Sequence, residues 1–382
     1  MHEFINSTEK LENALKAFEN EKFIAVDTEF IRESTYFSKL CLIQLATEKN
    51  IVLIDPLENN INLKSLWKLF NEKKAIKVMH SGRQDMEIFY NINNKLPTPV
   101  YDTQIAAMVC GFGDQISYEN LVKSLLNVNV DKSSRVSDWS FRPLKDEQIT
   151  YALSDVKYLV EVYKLLKENI TENNRSSWIQ EEMNNFINIK NYQINPENVW
   201  EKIKIRSTKR ILLNKIKFLA SWREKLARQK NIPKNYIIRD DTIVDIAISN
   251  PDEISKFKRV RGFSESKKIH IPEIINVLKK ANKVPEDQWP IPKSKIKKVK
   301  FEANIALLKV LLKHVSENER VASRLIASQS ELEQIAEGKI NDLSSLNGWR
   351  YKIFGELAID ICSGKLGITS KDNKIKLFQI NK

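Results

Sequence analysis

The chain has little of what redox, thiol or histidine chemistry requires. Its three cysteines, Cys41, Cys110 and Cys362, are odd in number and far apart. They form neither a disulfide framework nor a Cys-x-x-Cys knuckle, and Cys41 and Cys110 stand in apolar runs that read as core. Four scattered histidines, His2, His80, His270 and His314, leave no histidine-based metal site. Any metal chemistry must then rest on oxygen ligands, which favours Mg²⁺ or Mn²⁺. Nine glycines and eleven prolines in 382 residues are too few for a low-complexity chain. No apolar run reaches bilayer-spanning length. The N-terminal segment MHEFINSTEKLENALKAFENEK carries charges throughout and lacks the apolar core of a leader. The expectation is a soluble cytoplasmic protein, without membrane contact or an obligate protein partner.

What is present is basic charge, unevenly placed. Residues 1–170 hold 21 Lys+Arg against 24 Asp+Glu, a net of −3, and the remainder holds 41 against 25, a net of +16. A slightly acidic first part joined to a strongly basic second part suits a polyanionic partner, because each neutralised phosphate releases counterions.

The hydrophobic pattern divides the chain in the same place. Segments 23–30 (FIAVDTEF), 40–47 and 50–56 read as strands, the latter two as an antiparallel hairpin. Helical runs follow at 63–71, after a further strand at 75–81, near 103–109 and 119–126, and over 145–168. This order predicts a mixed sheet flanked by helices. From about 205 strand signals nearly vanish, and 206–285 and 301–375 read as two helical blocks after a connector at 171–205. They are joined by a Pro/Lys-rich linker, 286–300, containing Lys293, Lys295, Lys297, Lys298 and Lys300. IIRDDTIVDIA (237–247) matches LIASQSELEQIA (325–336) in apolar spacing, and the Gly262 and Gly348 segments correspond, so one small bundle is expected twice.

Within the first strand, alternation puts Asp27 and Glu29 on one face and Val26, Thr28 and Phe30 on the other. Two carboxylates side by side at the end of an apolar strand repel each other and lose hydration; a divalent cation relieves both penalties. Alone, Asp-x-Glu is a common chance pair. Asp85 follows the strand at 75–81 and by itself reads as a first-turn acid favoured by the helix dipole. Tyr151 and Asp155, four apart on the long helix, share one face beside its apolar stripe.

Together these residues resemble the DEDD exonuclease superfamily in its tyrosine branch, and ribonuclease D in particular. CLIQLA, IVLIDPL, HSGRQD and SDWSFRPL-x₆-YALSDVKYL carry the resemblance over about 20–170. Where the histidine branch has its histidine, five positions before the last Asp, this chain has Thr150. The helical blocks resemble HRDC domains, well over 208–283 and in degenerate form over 301–370. The resemblance implies an α/β ribonuclease H-like exonuclease domain followed by two all-α HRDC-like bundles. It further implies a 3′→5′ exoribonuclease that trims single-stranded 3′ ends of precursor transfer RNAs and other small structured RNAs, releasing nucleoside 5′-monophosphates. Two divalent cations would be held by Asp27, Glu29, Asp85 and Asp155, with Asp27 bridging and Tyr151 orienting the attacking water. A DNA exonuclease of the same superfamily and a catalytically silent RNA-binding adaptor are the alternatives.

Phosphate contacts are expected from Lys132, Arg135 and Arg142, although Arg142 equally reads as an anchor of the turn at Pro143. A second cationic cluster, Arg259, Arg261, Lys267 and Lys268, surrounds Gly262. His80 is read as structural, since Mg²⁺ prefers oxygen.

Overall fold

A computed structural model describes residues 2–131, 137–263, 269–292, 301–372 and 374–380. Lys132, Arg135, Lys267, Lys268 and the linker lysines therefore lie outside the described residues, and of Arg259 only the backbone is described.

Six strands form one sheet: β1 (His2–Ile5), β2 (Phe23–Ile31), β3 (Lys39–Ala46), β4 (Ile51–Ile54), β5 (Ile76–Met79) and β6 (Val100–Asp102), in the order β1-β4-β3-β2-β5-β6. β2, β3 and β4 are antiparallel neighbours, as the short connection at Glu48 and Lys49 predicts. β1–β4, β2–β5 and β5–β6 are parallel. The site strand β2 thus lies between β3 and β5, where both edges are hydrogen-bonded and its carbon frame is held rigidly.

Helices cover both faces. On the Val26 side pack α1 (Thr8–Leu15), α2 (Lys64–Asn71) and α3 (Arg83–Asn93), through Leu66, Phe70, Met86 and Phe89. On the Ala25 side lie α4 (Thr103–Val109), α5 (Tyr118–Leu126) and the long α6 (Asp146–Glu172), through Val156, Leu159, Val160 and Tyr163. α6 is amphipathic with a broad apolar stripe, so its orientation is set by which side chains must leave water. That same rotation decides where Tyr151 and Asp155 point.

The connector divides its packing. α7 (Ser176–Phe186) returns to the nuclease core through Ile179 and Met183. Residues 196–202 instead lie along α8 (Arg210–Lys230), the first helix of the first bundle, with Val199 and Trp200 against its core. That bundle continues with α9 (Lys234–Ile237), α10 (Asp240–Ser249) and α11 (Ile271–Asn282). The second bundle repeats the order: α12 (Glu302–Glu319), α13 (Ser323–Ile326), α14 (Gln329–Ala336), then α15 (Gly348–Arg350), running through a π-turn into α16 (Glu356–Cys362). Gly262 and Gly348 both have positive φ, +72° and +56°, so the matched glycines serve the same left-handed turn. The expected helices form in both bundles. The second additionally carries a two-stranded hairpin, β7 (Leu366–Lys371) and β8 (Lys374–Gln379), which an all-α reading omits.

Both bundles dock on the nuclease domain. Tyr36, between β2 and β3, donates to Glu224 of α8 and accepts from Arg228 Nε at 3.1 Å. On the other side Trp349 stacks on Trp178 with centroids 4.4 Å apart, and buried Arg350 pairs with Glu181 and Glu182 of α7. Arg175 donates to Val109 O at 2.7 Å and to the carbonyls that end α12. Gly111 permits this junction: with φ +85°, a Cβ there would lie 2.5 Å from Arg320 O.

Candidate active site

Asp27, Glu29 and Asp155 converge. One carboxylate oxygen from each lies within 4.8 Å of the other two. β2 supplies the first two by strand alternation, and α6, crossing the same face, lowers Asp155 onto them. Asp85 stands outside this trio but lines the same cleft of about 670 Å³. It reaches the strand end from α3, on the opposite face, and the Thr28 hydroxyl donates to it. Tyr151 lines the cleft one turn before Asp155 and is hydrogen-bonded to it. All five residues that the resemblance implies therefore line one cleft.

The electrostatics are those of a site built for missing positive charge. Burial holds the Asp27 carboxyl well above the usual range, and the charges of Asp155, Asp85 and Glu29 push it further; one backbone N–H bond, from Thr28, opposes. Burial pushes Asp85 up to about 6, against the Thr28 hydroxyl and its own backbone amide and with help from Asp102. Tyr151 is raised by burial and by the charges of Asp155, Glu29 and Asp27, so its phenol stays protonated. The clustered donors are all carboxylate oxygens, with no thiolate or imidazole in the trio. That donor set fits a hard divalent cation, and a bound cation would reverse the like-charge repulsion that now disfavours ionisation.

Several supporting residues carry no pattern that sequence alone reveals. Asp102 caps α4 by accepting from Gln104 N and Ile105 N, and accepts from Gly82 N at 2.8 Å. It thereby fixes the first turn of α3, where Asp85 sits. Tyr118 donates to Ser154 O at 2.9 Å and packs beside Asp155 and Asp27. Trp139 forms a cleft wall against the Tyr151 ring, 6.0 Å between centroids; only its place in SDWSFRPL points to it. His80 behaves as expected of a structural residue, its ring nitrogens engaged by Thr103 Oγ1 at 3.0 Å and Ile116 O at 3.2 Å.

Arg142 requires a correction. Nε and one Nη grip Asp55, which is fully buried, and the remaining donors reach Cys41 O, Trp139 O and Phe141 O. All five guanidinium hydrogens are engaged within the fold, so Arg142 anchors its turn and has no donor left for phosphate. Arg261 is exposed beside Gly262.

A second cleft, about 1020 Å³, runs along α3 at the seam with the first bundle. Arg83, Tyr90, Lys190, Lys202 and Arg228 line it, with several asparagines between them. No helix among the described residues is long and apolar enough to cross a membrane.

Residues 2–171 match the family described as 3′-5′ exonuclease, and 214–278 match the HRDC domain. Ribonuclease D of Bartonella henselae is 41% identical over 384 residues, covering 100% of this chain and 95% of that protein. Ribonuclease D of Jannaschia sp. is 38% identical, covering 98% and 99%. The crystal structure of Escherichia coli RNase D, described as an exoribonuclease involved in structured RNA processing, superposes with a TM-score of 0.84 at 26% identity, covering 95% of this chain and 99% of that one. Likeness at this level, running the length of both chains, makes the protein a member of the ribonuclease D family, and so a metal-dependent 3′→5′ exoribonuclease of the DEDD superfamily.

Proposed function

We propose that the chain trims the single-stranded 3′ ends of precursor transfer RNAs and other small structured RNAs, removing one nucleoside 5′-monophosphate at a time. The convergence of Asp27, Glu29 and Asp155 within 4.8 Å carries this reading. Asp27, Glu29 and Asp155 would hold one divalent cation, and Asp27 and Asp85 a second, Mg²⁺ or Mn²⁺ in each case. Such a pair supplies an activated water and charge stabilisation for the departing 3′ oxygen. The protein's own part is positional. Tyr151, kept protonated and oriented by Asp155, holds the attacking water through its hydroxyl. Trp139 walls the cleft on the α6 side and limits bulk solvent. Water oxygen joins phosphorus, the P–O3′ bond breaks, and the shortened RNA leaves with a free 3′ hydroxyl.

The RNA body would lie along the basic side of the molecule. The second cleft, lined by Arg83, Lys190 and Lys202, suits a phosphate backbone. The net +16 over residues 171–382 supports the same reading. Arg261, Arg259, Lys267, Lys268, Lys132 and Arg135 are the further candidate contacts. Incubating a 3′-extended transfer RNA with Mg²⁺, with Mn²⁺ and with chelator tests the whole scheme. The expected products are nucleoside 5′-monophosphates, only with metal, from RNA ends in preference to DNA ends. Nucleoside 3′-monophosphates, or Asp27→Ala protein that still digests, would refute it.

A further inference from the structure

Gln44 has no role in the account above, yet it occupies an unusual place. In the run Leu42-Ile43-Gln44-Leu45-Ala46 of β3 it is the one polar residue, fully buried. Neither its amide nitrogen nor its amide oxygen has a hydrogen-bond partner in the described structure. Such groups are rare in folded proteins, because a buried amide stripped of water and left unpaired opposes folding. A leucine or methionine would fill this space without that cost.

Register explains what lies beside it. Gln44 stands directly opposite Asp27 across the β2–β3 pair, with Leu42 opposite Glu29 and Ala46 opposite Ala25. Directly opposed residues of an antiparallel pair project to the same face. On its other edge Gln44 faces Leu53 of β4, and α6 covers this face with Ala152 and Val156, both fully buried. The orphaned amide thus lies in an apolar layer whose nearest charged neighbour in register is Asp27. Asp27 for its part has one favourable hydrogen bond, from the Thr28 backbone, and three like charges around it. An amide with two N–H donors lacks an acceptor, and a carboxylate stands opposite it in register.

We propose that Gln44 is the positioning residue of Asp27. When divalent cations occupy the cleft, its side-chain amide donates to the Asp27 carboxylate, directly or through one buried water, and holds it in the ligating orientation. The oxygen on the same amide takes a hydrogen from that water. The role rests on the reading of Asp27 as a metal ligand, and it makes Gln44 part of the machinery without contact to RNA. Outer partners of this kind alter metal affinity roughly 10–100-fold.

The full chain with Gln44→Met, which keeps the unbranched shape and removes the amide, provides the test. Mn²⁺ binding is measured by calorimetry and thermal melting in EDTA is followed in parallel. The expected result is a dissociation constant weakened by roughly 10-fold or more, with a metal-free melting temperature equal to or above that of wild type. Unchanged affinity, whether melting falls or not, marks a packing role and overturns the proposal. Absence of Mn²⁺ uptake by the wild type would overturn both this role and the metal reading beneath it. Should Gln44→Met fail to fold, selective ¹⁵N labelling of glutamine side chains in the wild type gives a second readout. The buried amide signal must shift on adding Mg²⁺, and an unmoved signal overturns the assignment.

Discussion

At the scale of single residues, the metal-free site is a place where ionisation and folding oppose each other. A carboxyl whose folded-state value lies above its unfolded one favours the fold only while protonated. For Asp85, raised to about 6, that stability is present below the ordinary carboxylate value of about 4 and is lost as pH climbs through about 6. Asp27 acts in the same direction. The melting temperature of the protein in EDTA should therefore carry a falling component between about pH 4 and 6, and Asp85→Asn should flatten it; identical profiles for the two would count against the buried acids. Metal uptake demands the ionised forms, so Mn²⁺ affinity should rise with pH over this window, with proton release visible in buffers of different ionisation enthalpy. Asp27→Asn should lower exonuclease activity by on the order of 10³-fold, as expected when several kcal/mol of metal-borne stabilisation is lost. The same variant should melt higher than wild type in EDTA, because one of the repelling charges is gone. Strand and helix periods pair Asp27 with Glu29 and Tyr151 with Asp155 on shared faces, and the resemblance to ribonuclease D joins these pairs with Asp85 into one site. Neither exposes the bond from Thr28 to Asp85, because Thr28 points to the opposite face and meets α3 only once the sheet is covered.

At the scale of elements, the turn at 139–144 depends on the Arg142–Asp55 pair. Arg142→Ala leaves Asp55 buried and uncompensated, which costs on the order of 3–5 kcal/mol. Its melting midpoint should fall steeply, while the affinity of the folded fraction for RNA, measured by filter binding at low temperature, stays within about twofold of wild type, below the ~1.4 kcal/mol that a tenfold change represents. A selective loss of RNA affinity with normal stability would restore Arg142 to the phosphate-binding set. The elements hidden from the sequence are the short ones. β1 and β6 span only His2–Ile5 and Val100–Asp102, too short to establish a period; they become strands because β4 and β5 offer free edges. The C-terminal hairpin does carry a signal, the alternation Lys374-Ile375-Lys376-Leu377, which the helical surroundings outweigh when the segment is read as the tail of a bundle.

At the scale of the whole molecule, the two bundles have unequal attachments. The first is latched through Tyr36, Glu224 and Arg228 to the loop that follows the site strand. The second is held by Arg350 on the buried Glu182 and by the Trp178–Trp349 stack. Arg350→Ala would leave the buried Glu182 without its countercharge, held only by the Trp349 indole N–H among the described partners, a loss of about 3–5 kcal/mol at the junction. Limited proteolysis should then release residues beyond about 300 while the remaining nuclease core stays folded and binds Mn²⁺ as before; an unaltered cleavage pattern would show that the stack alone suffices. The basic half predicts steep salt dependence, with RNA affinity falling about 10³-fold or more between 50 and 200 mM salt if six or more phosphates are engaged.

The order of elements, the pairing of strands 40–47 and 50–56, and the shared faces of Asp27 with Glu29 and of Tyr151 with Asp155 are properties of local period, and the chain carries them residue by residue. The tertiary structure alone decides which of these faces meet. It lays α6 across β2 so that acids 128 positions apart in the chain, Asp27 and Asp155, share one space. It also turns Arg142 inward to a buried aspartate and strands the Gln44 amide beneath the carboxylates. Those outcomes depend on burial, which excludes water and leaves each polar group to find whatever partner the packing brings within reach, and no local period encodes that.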